Sequence, residues 1–150
     1  MLKIAIGSDH AGFHLKNLIV SHFKSADFND VGTYSEESCD YPDYALSVGR
    51  AVISGGADFG VVICGTGIGA SVAVNKVKGI RAALCLNEFM AEKSRQHNNA
   101  NVLVLGAKVT GDDLALSIME KWLAASFEGG RHQTRIDKIS AIEDSCGRDE

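Results

Sequence analysis

FGVVICGTGIGAS, residues 59–71, is the stretch on which the fold turns. Its first half, Phe59 to Cys64, is continuously apolar and closed by glycine, as expected of a strand buried on both faces. Its second half places Gly65, Gly67 and Gly69 in alternation and runs into a helical stretch, Ile68 to Lys76. A buried strand that turns through glycines into a helix is the front half of a βα unit, and such units assemble into a parallel sheet covered on both faces.

The same alternation extends outward in both directions. Upstream, Leu2 to Ile6 is an apolar run ending in Gly-Ser-Asp, followed by Leu15, Leu18, Ile19, His22 and Phe23 at helical spacing. Phe28 to Val31 reads as a weaker strand. Tyr44, Ala45, Val48, Ala51 and Val52 form a helical stripe behind Pro42, the chain's one proline, placed where a helix begins. Downstream come a strand at Ala82 to Leu86, a helix at Phe89 to Gln96 and a strand at Val102 to Leu105. Leu114, Ala115, Ile118, Met119, Trp122 and Leu123 mark a further helix. The pattern predicts one doubly wound, Rossmann-like α/β domain over residues 1–150, with a five-stranded parallel sheet and a C-terminal helix. That last helix carries only a narrow stripe, Ile136, Ile139 and Ile142, behind Gly129-Gly130, and the stripe suits its own domain or a partner equally.

Composition bounds the function classes. At 150 residues, 45% apolar and 23% charged, the chain is expected to be a folded soluble domain. A net charge of −4 argues against broad nucleic-acid binding. MLKIAIG is too short for a signal peptide or membrane span, and no later stretch is long enough. The four cysteines, Cys39, Cys64, Cys85 and Cys146, form no C-x-x-C pair, which points to reduced thiols in the cytoplasm and away from a thiolate zinc site.

On such sheets ligands bind beyond the carboxyl ends of the strands. Two ends stand out: Gly7-Ser8-Asp9-His10-Ala11-Gly12, and Cys64-Gly65-Thr66-Gly67-Ile68-Gly69-Ala70-Ser71. The glycines let backbone amides approach an anion. Gly65, Gly67 and Ala70 also satisfy a dinucleotide fingerprint, with Glu88 at the spacing of a ribose-binding acid. Against nucleotide binding, the turn follows the third strand, and the chain has no room for a dehydrogenase's substrate domain. A cysteine at the end of a core strand is usually an inert hydrophobe. Cys64, however, stands at an anion-attracting turn before a helix, where a thiolate could serve as nucleophile or base. Cys39, Cys85 and Cys146 read as bystanders. Asp9 and His10 are bounded by glycines and face the same crevice. His10 and His14 sit at i, i+4, yet no third ligand accompanies them, so no metal is expected. Ser94 to Asn99 reads as a polar cap and turn. Arg131 and Arg135, also at i, i+4, oppose a helix dipole unless an anion binds there, and a phosphate is the natural candidate.

Five segments together, IAIGSDHAGF, DYPDYA, CGTGIGAS, SRQHNNANVL and EGGRHQTR, resemble the type B ribose-5-phosphate isomerases from end to end. The wider family includes isomerases of galactose 6-phosphate and allose 6-phosphate. The resemblance implies a cofactor-free aldose–ketose isomerase of pentose phosphate metabolism, acting as a homodimer or dimer of dimers. It implies that Cys64 is the base moving a proton between C1 and C2 through a cis-enediolate. Gly65, Gly67, Gly69 and Ser71 would stabilise the enediolate, and Thr66 would handle the hydroxyl proton. Asp9 and His97 would open the furanose, Tyr41 and Asn98 would contact the sugar, and His10, Arg131 and Arg135 would bind phosphate. The family usually has arginine at the position of Lys108, and lysine lacks its bidentate fork. Some members use a glutamate elsewhere on the turn as base; Cys64 places this chain with the cysteine branch.

Connectivity adds a constraint. His97 and Asn98 precede a strand, so they are expected at the opposite end of their own sheet from Cys64, and a second chain would have to deliver them. A six-carbon sugar phosphate as substrate, or a non-catalytic phosphosugar- or nucleotide-binding module, are the alternatives to a pentose-phosphate isomerase.

Overall fold

A computed structural model describes residues 1–146. Five strands alternate with helices: β1 (Leu2–Ser8), α1 (Phe13–His22), β2 (Ala26–Asp30), α2 (Tyr41–Ile53), β3 (Phe59–Cys64), α3 (Ile68–Val74), β4 (Ala82–Leu84), α4 (Glu88–Gln96), β5 (Val102–Gly106), α5 (Asp112–Ala124) and α6 (Arg131–Cys146). The strands form one all-parallel sheet in the order β2-β1-β3-β5-β4. The expected α/β architecture is present.

Strand alternation divides the core into two layers. Val61 and Ile63 join Leu15, Ile19, Ala91, Ile118 and Trp122 under α1, α4 and α5. Val62 and Cys64 join Ala45, Val48, Ala70 and Val74 under α2 and α3. Cys64 therefore faces the α2–α3 layer.

Element ends differ from expectation where side chains take over backbone roles. The fourth strand stops at Leu84 rather than Leu86 because it is the sheet edge, paired with β5 alone. Helix α3 ends at Val74 rather than Lys76. Just beyond it, the Asn75 side chain accepts from Ala82 N–H at 2.8 Å and donates to Ala82 O at 3.1 Å, continuing the sheet edge in place of a strand. The second strand spans Ala26–Asp30, two residues earlier than expected at its start and one at its end.

Lys16 on α1 is fully buried. Its ammonium reaches Asp30 Oδ1 at 2.7 Å, Oδ2 at 2.9 Å and Thr33 O at 2.5 Å, the complete pairing a buried charge requires. This ties α1 to the segment after β2, where Thr33 N–H donates to Ser8 O at 2.7 Å. The carboxyl end of β1 is thereby braced from one side.

From the other side β1 meets β3. The sheet order changes direction between these strands, which makes their carboxyl ends the topological switch point. Asp9 N–H donates to Ile63 O at 3.2 Å. At Gly12 a Cβ would lie 2.7 Å from the same carbonyl oxygen, so the turn is pressed directly onto β3.

Helix α6 packs on its own chain through the buried His132 and Ile136, while Ile139 and Ile142 face outward. Glu143 accepts from Gly79 N–H at 3.1 Å and pins its far end. Among the described residues no helix is long and apolar enough to cross a membrane.

Gly12→Ala is expected to destabilise the protein by about 2 kcal/mol, because the methyl must displace backbone rather than a side-chain tip. Chemical denaturation would read this as a lowered midpoint; an unchanged midpoint would mean that the turn has slack.

Candidate active site

Two polar groups meet at the switch point. Asp9 is 6% exposed, and its Oδ1 accepts the Gly12 N–H at 3.1 Å, which closes the turn around the carboxylate. His10 Nδ1 accepts the Cys39 N–H at 3.2 Å. A neutral His10 therefore carries its proton on Nε2, where it is available to donate. Together with Ser38, Cys39, Tyr41 and Asp43, these residues line an open crevice of about 600 Å³. Cys39 acts here through its backbone N–H, which fixes the His10 tautomer.

The glycine turn lies beside them. Cys64 Sγ accepts the Gly67 N–H at 3.2 Å, and Thr66 Oγ1 accepts the Ile68 N–H at 3.2 Å. Gly67 has φ +82°, and a Cβ there would lie 2.5 Å from Leu84 Cδ1 and 3.2 Å from Gly106 N. No side chain is accommodated in that conformation and space. At Gly69 the Tyr41 ring occupies the position a Cβ would need. Tyr41 thus joins the crevice to the turn. Ser71 N–H donates to Gly67 O at 3.0 Å as α3 begins. Lys108 N–H donates to Gly65 O at 2.9 Å, and its chain passes 3.6 Å from where a Gly65 Cβ would be. Asp9, His10, Tyr41, the 64–71 turn and Lys108 therefore share one end of the sheet.

His97, Asn98, Arg131 and Arg135 do not join them. In the parallel register Gly60 faces Val102 and Cys64 faces Gly106, so residues preceding Val102 lie a full strand away, about 13 Å. There two guanidiniums hold the loop. Arg95, 8% exposed, donates to Ala100 O at 2.5 Å and Asn99 Oδ1 at 3.3 Å, and covers the rings of Phe59 and Trp122. Arg81 donates to Asn98 O at 3.0 Å and Asn99 O at 3.0 Å. The segment expected to be a simple polar turn is a clamped loop. Glu128 N–H donates to Gln96 O at 3.0 Å, which carries the start of α6 to the same end. Within one chain Arg131 and Arg135 accompany His97, and His10 stands apart from them.

His97 and His132 stack with ring centroids 4.2 Å apart and planes 11° from parallel. Glu128 Oε2 lies 3.7 Å from His132 Nε2. Ligand atoms of His97, Glu128 and His132 come within 4.8 Å of one another. A cation would have to lie in the plane of both imidazoles, and parallel rings share no such point, so the arrangement suits stacking rather than chelation. Burial pushes the His132 imidazole below its usual pKa, with His97, Arg131 and Arg135 acting in the same sense and Glu128 against.

Glu88 does not serve a ribose. It accepts from Ser117 Oγ at 2.8 Å on α5, in the layer opposite α3 and its glycine turn. The dinucleotide fingerprint therefore lacks its acid. His14 is likewise no partner for His10: it is exposed and pairs with Asp112 at 3.3 Å.

Set beside known proteins, residues 4–139 match the model of the family described as Ribose/Galactose Isomerase. The chain is 51% identical over 145 residues to ribose-5-phosphate isomerase B of Escherichia coli strain K12, covering 95% of this chain and 97% of that protein. Among solved structures, ribose-5-phosphate isomerase B of Clostridium thermocellum superimposes with a TM-score of 0.96 at 54% identity, covering 97% of this chain and all of that one. The enzyme of the same name from Mycoplasma genitalium, solved with bound ribulose-5-phosphate, gives 0.91 at 45% identity, covering 95% and 97%.

The four thiols differ in exposure. Burial raises the Cys85 pKa to about 11, only partly offset by the Ser94 hydroxyl, so Cys85 stays a protonated thiol at pH 8. Cys146 is exposed. Iodoacetamide at pH 8 is expected to label Cys146 and leave Cys85 unmodified until the protein unfolds, as read by peptide mass mapping. Early labelling of Cys85 would mean that the α4–β4 packing opens.

Proposed function

The chain belongs to the ribose/galactose isomerase family, and on that premise we propose that it interconverts ribose 5-phosphate and ribulose 5-phosphate. The observation carrying this is the Cys64 thiol, held by the Gly67 amide at the switch point beside Asp9 and His10. A relative 45% identical holds ribulose 5-phosphate, which supports the same substrate here.

The chemistry has two stages. Ribose 5-phosphate closes a furanose through O4, whereas ribulose 5-phosphate cannot close a five-membered ring, because its O5 is esterified. Ring opening breaks the C1–O4 bond. His97 gives a proton to O4, and Asp9 takes the proton of the C1 hydroxyl to leave the aldehyde. The Cys64 thiolate then removes the C2 proton, and the resulting cis-enediolate is held by backbone amides of Gly65, Gly67 and Gly69 with Ser71. Cys64 returns its proton to C1 while Thr66 passes the O2 hydroxyl proton to O1. Atoms and charge balance, and no cofactor enters. His10 through Nε2, Lys108, Arg131 and Arg135 hold the phosphate; Tyr41 and Asn98 meet the sugar hydroxyls.

The two groups of residues lie at opposite ends of one sheet, so the complete site is composite. A second copy delivers His97, Asn98, Arg131 and Arg135 in an isologous dimer. Exposed apolar side chains on α3 and α4, Ile68, Val72 and Phe89, at 61%, 59% and 68% exposure, supply a surface for that copy. A required free thiol among four free cysteines suits the reducing cytoplasm.

A coupled assay is expected to show conversion of ribose 5-phosphate that EDTA leaves unchanged. Cys64→Ser should lower kcat by about a thousandfold or more. Conversion of six-carbon phosphates only would move the substrate assignment, and absence of turnover on every aldose phosphate would remove the isomerase assignment. Exchange of the ribulose 5-phosphate C1 hydrogen with D2O isolates the second stage. Cys64→Ser should abolish it, whereas His97→Ala should lose ribose 5-phosphate conversion with far less effect on exchange.

Mixing inactive Cys64→Ala and His97→Ala proteins tests the shared site. Reassorted dimers hold one intact site in each mixed pair, so about a quarter of full activity should return. No recovery after verified subunit exchange would place His97 outside the partner's site.

A further inference from the structure

His132 has no part in the chemistry above, yet its ring stacks on that of a group that does. Its ring is 5% exposed, and its Nε2 is sealed from solvent with no hydrogen-bond partner, Glu128 standing off at 3.7 Å. Packing alone does not account for an imidazole there, since an apolar side chain would fill the space without a sealed polar atom. What the ring does contribute is a flat face, lying 4.2 Å from the His97 ring and 11° from parallel.

The backbone of His97 is already fixed. It caps α4, and its N–H donates to Lys93 O at 2.8 Å. Its imidazole is not fixed in the same way: neither ring nitrogen makes a hydrogen bond to any of the described residues. A catalytic histidine is commonly oriented by a carboxylate on one nitrogen, which leaves only the other for substrate. Here a stacked ring sets the plane instead, and both nitrogens stay open.

We propose that His132 is a positioning residue for the isomerisation: its ring is the platform that fixes the plane of the His97 imidazole, so that His97 meets the sugar ring oxygen in the partner's site. This rests on His97 being the ring-opening acid. The charge pattern agrees with it. Two stacked imidazolium rings would repel, and burial together with His97, Arg131 and Arg135 disfavours the charged form of His132. Glu128 opposes that tendency, and Arg95 and Arg81 direct their donors to the 98–100 segment of the loop.

Two variants separate a platform from a structural plug. His132→Ala removes the plane; His132→Phe keeps a plane and removes the nitrogens. His132→Ala is expected to lower kcat for ribose 5-phosphate about tenfold to a hundredfold, the loss typical of a misplaced catalytic group, with KM changed less than about twofold. It should retain C1 hydrogen exchange on ribulose 5-phosphate, which needs no ring opening and so doubles as the test of correct folding. His132→Phe should restore most of kcat. NMR gives a readout independent of turnover. The His97 Cε1–H resonance, shielded by the neighbouring ring, should move downfield in the Ala variant and remain shielded in the Phe variant. Unchanged kcat in the Ala variant, parallel loss of exchange, failure of Phe to restore, or an unmoved His97 resonance would each overturn the proposal. If the wild-type protein converts no aldose phosphate, the isomerase assignment falls, and the His97 resonance still decides whether the platform exists.

Discussion

Gly12 meets the carbonyl of Ile63 at a distance that excludes any side chain, and the geometry of the switch point follows from that contact. The carbonyl also receives the Asp9 N–H, so one oxygen fixes both ends of the Asp9–Gly12 turn. Ile63 immediately precedes Cys64. The positions of the Asp9 carboxylate and the Cys64 thiol are thus related through backbone alone, with no flexible side chain between them. Such coupling matters for proton transfer, where small displacements are costly. The buried Lys16 works from the other flank: its pairing with Asp30 and Thr33 holds the segment that hydrogen-bonds Ser8. Its removal would free an inward carboxylate and a carbonyl at once.

The far end of the sheet is built on different physics. No glycine contact sets it; two arginines do. Arg95 and Arg81 spend their fixed donor forks on the carbonyls of Asn98, Asn99 and Ala100, and Arg95 lies flat on Phe59 and Trp122. A guanidinium suits this because it satisfies several acceptors in one plane while its faces stay apolar. The outcome is a loop rigid enough to present His97 and Asn98, with α6 leaning on it through the His97–His132 stack.

How much of this the sequence discloses depends on whether a feature is periodic. The strands and helices are legible because burial repeats at two or 3.6 residues, and Phe59 to Ser71 alone identifies a βα unit. The strand order is not, since nothing local tells β3 to pair with β5 rather than β4. The crevice is half legible: Asp9, His10 and Cys64 declare themselves at strand ends between glycines. Cys39 does not, because it acts through its backbone N–H, which every residue but proline possesses. Lys16 and Arg95 read as ordinary solvated helix residues, and only three-dimensional pairing explains their burial. The inability of His97 to reach its own Cys64 is legible from connectivity, for a residue before a parallel strand cannot share an end with one after it. His132 sits in plain view beside Arg131, yet a stacking partner across 35 residues leaves no pattern along the chain.

The separation of the two groups has an electrostatic side. Arg131 and Arg135 lie in the first turns of α6, at the end where the helix dipole already places partial positive charge. Neither has an ion pair among the described residues, and both are exposed. The two arginines thus flank a histidine pair that has the Glu128 carboxylate beside it. The crevice end carries carboxylates as well, with Asp40 and Asp43 on its rim and Asp9 buried behind them, near His10 and Lys108. In the dimer proposed above, the α6 start of one copy would meet the crevice of the other, and a phosphate dianion held by His10, Lys108 and the two arginines would balance their positive charge. The sheet then serves as a spacer of fixed length. Under the proposed mechanism it keeps each protomer from completing a site of its own, and the two-fold assembly is the unit in which ring opening and proton transfer would meet on one sugar.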